Sequence, residues 1–222
     1  MKHVIFDFDG TLFNSLDGIF QSFVVAARLL DLPPPDKLTI ASRIGPPIIK
    51  LATLVYPELS HERLLKFCSE FRHHYDLVGY LNSSPYDGIA ELVQSLHYDQ
   101  GIQSVSIVTN KPTLLAIKLL IKYKLNKYFG DVIGIDYPSL LGIGSHFLSK
   151  VDALNELLQT LDVTHNAPVY IGDTVDDFVS ASSAGCKFIA VGYGFYEWQD
   201  HNLAPFKIAG TPPQLQFLIS EL

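Results

Sequence analysis

VIFDFDGTLFNS, residues 4–15, runs an apolar segment into two carboxylates, Asp7 and Asp9, and follows them at once with glycine and threonine. Like charges held side by side repel and must be compensated. The stretch therefore predicts a strand that delivers Asp7 and Asp9 to a site with a positive partner. If strand geometry persists, this i, i+2 pair leaves one side of the chain while Phe6 and Phe8 leave the other, so that one side can hold a cation. Gly10 permits a sharp exit and a close approach of backbone to ligand, and Thr11 adds a hydroxyl and an N–H at the turn.

Outward from this stretch, short apolar runs alternate with helix-length amphipathic segments, the pattern of a parallel sheet with helices on both faces. The strands expected are Val4 to Phe8, Ser104 to Thr109, Asp131 to Ile135, Val169 to Ile171 and Phe188 to Val191. Helices are expected in GIAELVQSLHY, PTLLAIKLLIKY, KVDALNELLQTL and DDFVSASSAG, with Gly185 ending the last. TPPQLQFLISEL reads as a closing helix with a threonine cap and prolines in its first turn. From about Asn14 to Ser84 the rhythm breaks, because helical patterns continue and no strand is evident. We therefore expect a Rossmann-like α/β core in residues 1–14 and 84–222, with residues 15–83 inserted as a helical cap domain. The junctions FNS and LNSSP are short and turn-prone, which suits hinges.

Ligands of open parallel sheets bind outside the carboxyl ends of the strands. Four polar sites fall there: Asp7 with Asp9, then Thr109, then Lys150, then Asp173 with Asp177. VYIGDTVDD repeats the logic of the first stretch, with Gly172 for close approach, Asp173 after it and Asp177 one helical turn on; helix capping is the plainer role for the same residues. Carboxylates clustered without histidine or thiolate suit a hard cation, and Mg2+, which keeps waters and bridges to phosphate, is the natural choice. In IVTNKPT, Thr109, Asn110 and free backbone N–H groups ahead of a proline-started helix could bind an anion. Lys150 could neutralise that anion and the nucleophile, and Lys111 is its rival.

Composition bounds the rest. The 222 residues carry a formal charge of -7 and are 48% hydrophobic, enough for one large core or a core with an insert. An acidic chain with pI near 5.5 argues against a nucleic-acid polymer as partner, whereas a small anionic substrate is compatible. No apolar run approaches the roughly 18 residues of a membrane helix, and the start offers no signal-peptide core, so a cytoplasmic protein is expected. Cys68 and Cys186 lack CxxC spacing and read as packing thiols. His73 and His74, adjacent on a helix, read as a solvated face. GYGFYEW, near Trp198, reads as packing under the sheet edge.

DFDGTL, the threonine of VTN, Lys150 and GDTVDD, in this order, resemble the four motifs of the haloacid dehalogenase superfamily of phosphohydrolases, and YDGIAELVQSLHYDQG and SASSAGCKFIAVGYGF extend the resemblance along the chain. TNKP and RIGPP are most similar to the phosphoglycolate phosphatase group, from which Asn14 departs, since that group usually has aspartate there. The resemblance implies a Mg2+-dependent phosphatase acting on a small phosphorylated metabolite, as a monomer or homodimer. It implies that Asp7 attacks phosphorus to form an aspartyl phosphate and that Asp9 moves protons. It further implies a metal held by the Asp7 side chain, the Asp9 backbone carbonyl and Asp173, with Asp177 orienting a metal-bound water, and phosphate oxygens bound by Thr109, Asn110 and Lys150. Arg43, Arg28 and Lys50 are candidate cap contacts to substrate. A sugar phosphomutase needs the same core, and a phosphoaspartate receiver shares the acidic site, threonine and lysine; the helical insert and GDTVDD have no place in the receiver. A dehalogenase would not need Asp9 as acid.

Overall fold

The computed structural model describes residues 1–135, 149–163, 166–198 and 207–222. Among these residues six strands form one parallel sheet: β1 (Lys2–Phe6), β4 (Ile102–Thr109), β5 (Val132–Gly134), β6 (Val169–Gly172), β7 (Lys187–Val191) and β8 (Lys207–Ala209), in the order β5-β4-β1-β6-β7-β8. Side chains alternate across a strand, and here both sets are buried. Val4 and Phe6 of β1, Ile107 of β4, Ile171 of β6 and Val191 of β7 enter one apolar cluster, covered by α5 (Ile89–Tyr98), α6 (Thr113–Lys122) and α9 (Pro212–Ser220). Ile5, Val108, Tyr170 and Ala190 enter another, covered by α7 (Lys150–Thr160) and α8 (Val175–Ser183). Burial on both faces explains the continuous apolar runs of these strands.

The third cluster belongs to α1 (Leu16–Leu29), α2 (Lys37–Ala41), α3 (Ile48–Val55) and α4 (His61–Leu77), where Phe23 meets Phe67 and Phe71 at ring-centroid distances of 5.1 and 5.3 Å. Burying side chains of this size contributes about 1.5–3 kcal/mol each, so these helices carry a core of their own. They leave and rejoin the sheet through one antiparallel ribbon, β2 (Phe13–Asn14) against β3 (Ser84–Pro85), with Asn14 opposite Ser84. Asn14 Oδ1 accepts the Leu16 N–H at 3.2 Å, closing the turn into α1. Among the described residues no helix is long and apolar enough to cross a membrane.

The structure departs from the sequence reading in local ways. β1 ends at Phe6, two residues early, because Phe8 O turns back to accept the N–H groups of Leu12 and Phe13 at 3.0 and 2.9 Å, and Phe8 stacks on Phe13. β4 and β7 each begin earlier than expected, β5 is confined to Val132–Gly134, and β6 runs one residue further, to Gly172. β8 and α2 were not expected: three and five residues are too short to show a period. Pro112 caps α6 from outside its first residue, Thr113. Gly185, at φ 76°, follows α8, and Thr211 caps α9 with prolines in its first turn.

Candidate active site

Strand order reverses at β1, whose neighbours β4 and β6 continue to opposite edges, and the polar residues gather at the carboxyl ends of these three strands. Asp7 follows β1 directly, and its N–H still reaches Ile171 O at 2.8 Å. Asp173 follows β6, and Asp177 lies in the first turn of α8. Carboxylate oxygens of Asp7, Asp173 and Asp177 lie within 4.8 Å of one another, all buried. Lys150, the first residue of α7, reaches into this group from the other side, with Nζ 3.0 Å from Asp7 Oδ1 and 2.5 Å from Asp177 Oδ1.

Three carboxylates against one ammonium leave the group short of positive charge. Burial pushes Asp7 up from 3.8 to about 7, against the pull of Lys150 and with a further push from Asp177, while Thr109 steadies its charged form by a hydrogen bond. Burial, with Asp177 and Asp7 beside it, likewise holds Asp173 well above the usual carboxylate range. For Lys150 burial pulls downward, and Asp177 with Asp7 outweighs it, so its ammonium is held above the ordinary lysine value. An all-oxygen, electron-rich donor set of this kind fits a hard divalent cation such as Mg2+.

Each carboxylate is fixed by local chain features. Asp177 Oδ2 accepts the Thr174 N–H at 3.0 Å and hydroxyl at 2.7 Å in a capping box, so capping and the site use the same residue. Asp173 Oδ2 accepts the Phe195 N–H at 2.8 Å. A Cβ at Gly10, which sits at φ 84°, or at Gly194 would overlap the Asp173 carboxylate, so both positions require glycine. GYGFYEW thus does two things. Trp198 packs beneath the sheet, its Nε1 donating to Val191 O, while Phe195 holds Asp173, which the sequence reading missed.

Asp9 does not share a cation side with Asp7. The strand has ended, and the Asp9 carboxylate lies outside the three-carboxylate group; Lys111 Nζ donates to its Oδ1 and Oδ2 at 2.9 and 3.3 Å and to the Tyr75 hydroxyl at 2.5 Å. The two rival lysines therefore divide the pair, Lys150 taking Asp7 and Lys111 taking Asp9. Thr109 ends β4, with its Oγ1 accepting the Lys111 N–H at 3.2 Å, and Asn110 donates to Gly45 O across to the helical unit.

Between the strand ends and the helical unit lies a cavity of about 60 Å3. Asp7, Asp9, Thr109, Asn110 and Lys111 line its floor, Ile19, Ile44, Ile48, Leu51 and Phe71 its apolar roof, and Arg72 and Tyr75 give that roof its polar groups. None of the expected cap contacts is there: Arg43 donates to Thr39 O, Lys50 pairs with Asp176 at the surface, and Arg28 is exposed at the end of α1. The signal for Arg72 and Tyr75 was the run FRHHY, in which Phe71 and Tyr75, four apart, mark the buried stripe of α4; a buried tyrosine hydroxyl needs a partner. His73 is exposed, and His74 meets Ser22 Oγ at 2.9 Å. Burial pushes both thiols, Cys68 and Cys186, up to about 11.

A doubly covered parallel sheet with carboxylates, a threonine and a lysine at its central strand ends defines an α/β enzyme built to manage an anionic substrate. The chain belongs to the haloacid dehalogenase-like hydrolase family, whose model matches residues 4–191. It is 28% identical to a 5'-nucleotidase of Pseudomonas aeruginosa over 87% of this chain and 83% of that one. It is 26% identical to a phosphoglycolate phosphatase of Vibrio vulnificus over 88% and 85%. A solved structure described as a predicted phosphatase from Clostridium acetobutylicum superposes with TM-score 0.86 at 27% identity, covering 100% of this chain and 99% of that one.

Proposed function

We propose that this hydrolase is a Mg2+-dependent phosphatase that cleaves a small phosphomonoester through an aspartyl phosphate on Asp7. The observation that carries the reading is Asp7 itself, buried beside Asp173, held by Lys150 at 3.0 Å and lining a small cavity. Asp7 attacks phosphorus, Asp9 gives a proton to the leaving oxygen and later takes one from the hydrolytic water, and Thr109, Asn110 and Lys150 bind phosphate oxygens. Mg2+, held by Asp7, the Asp9 backbone carbonyl and Asp173, with Asp177 orienting its water, would supply positive charge that screens nucleophile from phosphate.

Residues 15–83 act in this reading as a cap on the core of residues 1–14 and 84–222, swinging on the β2–β3 ribbon and excluding bulk water when shut. The apolar roof, whose cation among the described residues is Arg72, paired with Asp76 at 3.8 Å, favours a short substrate bearing a second anionic group, as phosphoglycolate does, in the cytoplasm. The panel to be tried is phosphoglycolate, nucleoside monophosphates and pyrophosphate, after the names of relatives, and sugar phosphates, for the mutase alternative, each assayed for phosphate release with Mg2+ and with chelator. Metal-dependent release concentrated on a short acid phosphate supports the reading. Isomerisation of a sugar phosphate without release would replace it with a mutase.

A further inference from the structure

Lys111 is buried, 3% exposed, and its ammonium is shared between two parts of the molecule. It donates to both oxygens of Asp9, on the sheet side, and to the hydroxyl of Tyr75, on α4 of the helical unit, and lies 4.9 Å from the Tyr75 ring centroid and 5.4 Å from that of Phe8. Burial holds the Tyr75 phenol above its ordinary value, so its oxygen stays a neutral acceptor. The ring stacks on Phe71 at 5.3 Å and 12°, packing that does not need the hydroxyl. The hydroxyl is thus spent on orienting an ammonium that in turn orients Asp9.

We propose that Tyr75 is a positioning residue for the second half of the reaction: through Lys111 it fixes the Asp9 carboxylate where that group takes the proton of the attacking water. The proposal rests on the roles given above to Asp7 and Asp9. In the first half, an Asp7 oxygen bonds to phosphorus, the ester P–O bond breaks, and the Asp9 proton passes to the departing oxygen. Asp9 is then the carboxylate that an ammonium pairs with, as in the structure. In the second half, water oxygen bonds to phosphorus, the bond from phosphorus to Asp7 breaks with its electron pair returning to Asp7, and the water proton goes to Asp9. Lys111 keeps its proton throughout. Because Tyr75 comes from the helical unit, the base is held in place only while that unit is down on the sheet.

The test loads Asp7 from acetyl phosphate, whose leaving group departs as a carboxylate and needs no proton from Asp9. Decay of the phosphate on Asp7 is followed by rapid acid quench and mass spectrometry in wild type, Tyr75→Phe, Lys111→Gln, the double variant and Asp9→Asn. Tyr75→Phe should slow decay about tenfold, part of the 10²–10⁴ that a positioned general base contributes, with kcat and KM for the best panel substrate falling together. Lys111→Gln should slow it at least as much, and the double variant no further, because both act along one path. Decay at the wild-type rate in Tyr75→Phe overturns the proposal, as does a raised KM with unchanged decay, the mark of a residue that merely clamps the helices down. Asp9→Asn separates the two levels: if phosphate on Asp7 never forms in it, or decays in it as in wild type, the underlying reading fails; if it persists there and not in Tyr75→Phe, the inference alone fails.

Discussion

Lys150 and Lys111 are both buried and each is paired with one member of the DFD pair, yet they belong to different kinds of construction. Lys150 is closed within the sheet side: its partners Asp7 and Asp177 sit just past the end of β1 and in α8, and Tyr170 of β6 lies beneath, with its ring centroid 5.9 Å from the ammonium. Lys111 reaches across the cavity, and one of its three side-chain hydrogen bonds among the described residues goes to the helical unit. The first arrangement compensates charge whatever the helices do. The second is complete only when they are in place, so the two aspartates, two residues apart, are governed by separate parts of the fold.

The largest expected effect breaks the Lys150 side at its centre. Asp7→Asn should abolish phosphate release, a loss of about 10⁴-fold or more, while circular dichroism stays unchanged; substantial residual turnover in a clean preparation would remove Asp7 as nucleophile. Next, Lys150→Met strands two buried carboxylates. Phosphate release should fall about 10²–10³-fold, and denaturant unfolding should show a loss of about 3–5 kcal/mol; a variant as stable as wild type would show that the sheet side does not depend on this ammonium.

The comparison is sharpened by pH. Asp7 rises from 3.8 to about 7 on folding, so between those values the folded chain holds a proton that the unfolded chain has released. Stability of the metal-free protein should therefore fall as pH rises through that window, by on the order of a few kcal/mol. A cation bound there displaces the proton, so Mg2+ should raise the melting temperature more at pH 8 than at pH 5. Calorimetry with Mg2+ and with chelator checks this, and a metal effect equal at both pH values would refute it. The smallest effect lies at the surface: Lys50→Ala removes a 3.3 Å pair to Asp176 whose partners are 59% and 44% exposed. Stability should change by less than about 1 kcal/mol, which the same unfolding titration measures; a larger loss would mean that the helices are held down by charge at their rim.

The Lys150 side was legible in the sequence because its residues sit at the ends of apolar runs, where a strand's geometry says what comes next. Asp7, Thr109 and Asp173 follow from that alone, and Lys150 follows from opening the next helix pattern. The Lys111 side was not, because it joins residues 36 and 102 positions apart through a packing of helices that periodicity does not orient. Tyr75 reads as one more apolar residue on the buried stripe of α4, and Phe195 contributes a backbone N–H that no side-chain identity announces. Asp9 shows the limit most plainly: the i, i+2 rule holds for a strand, and the strand stops at Phe6.

The β2–β3 ribbon has a further consequence, for descent rather than for chemistry. A segment whose two ends leave the sheet side by side, Asn14 opposite Ser84, can be lengthened, trimmed or exchanged for another without moving either strand of the core, because closing a longer loop between fixed ends costs only about 0.6 kcal/mol per doubling. The joint behaves as a graft site: the sheet can keep its reaction while successive roofs are tried above it.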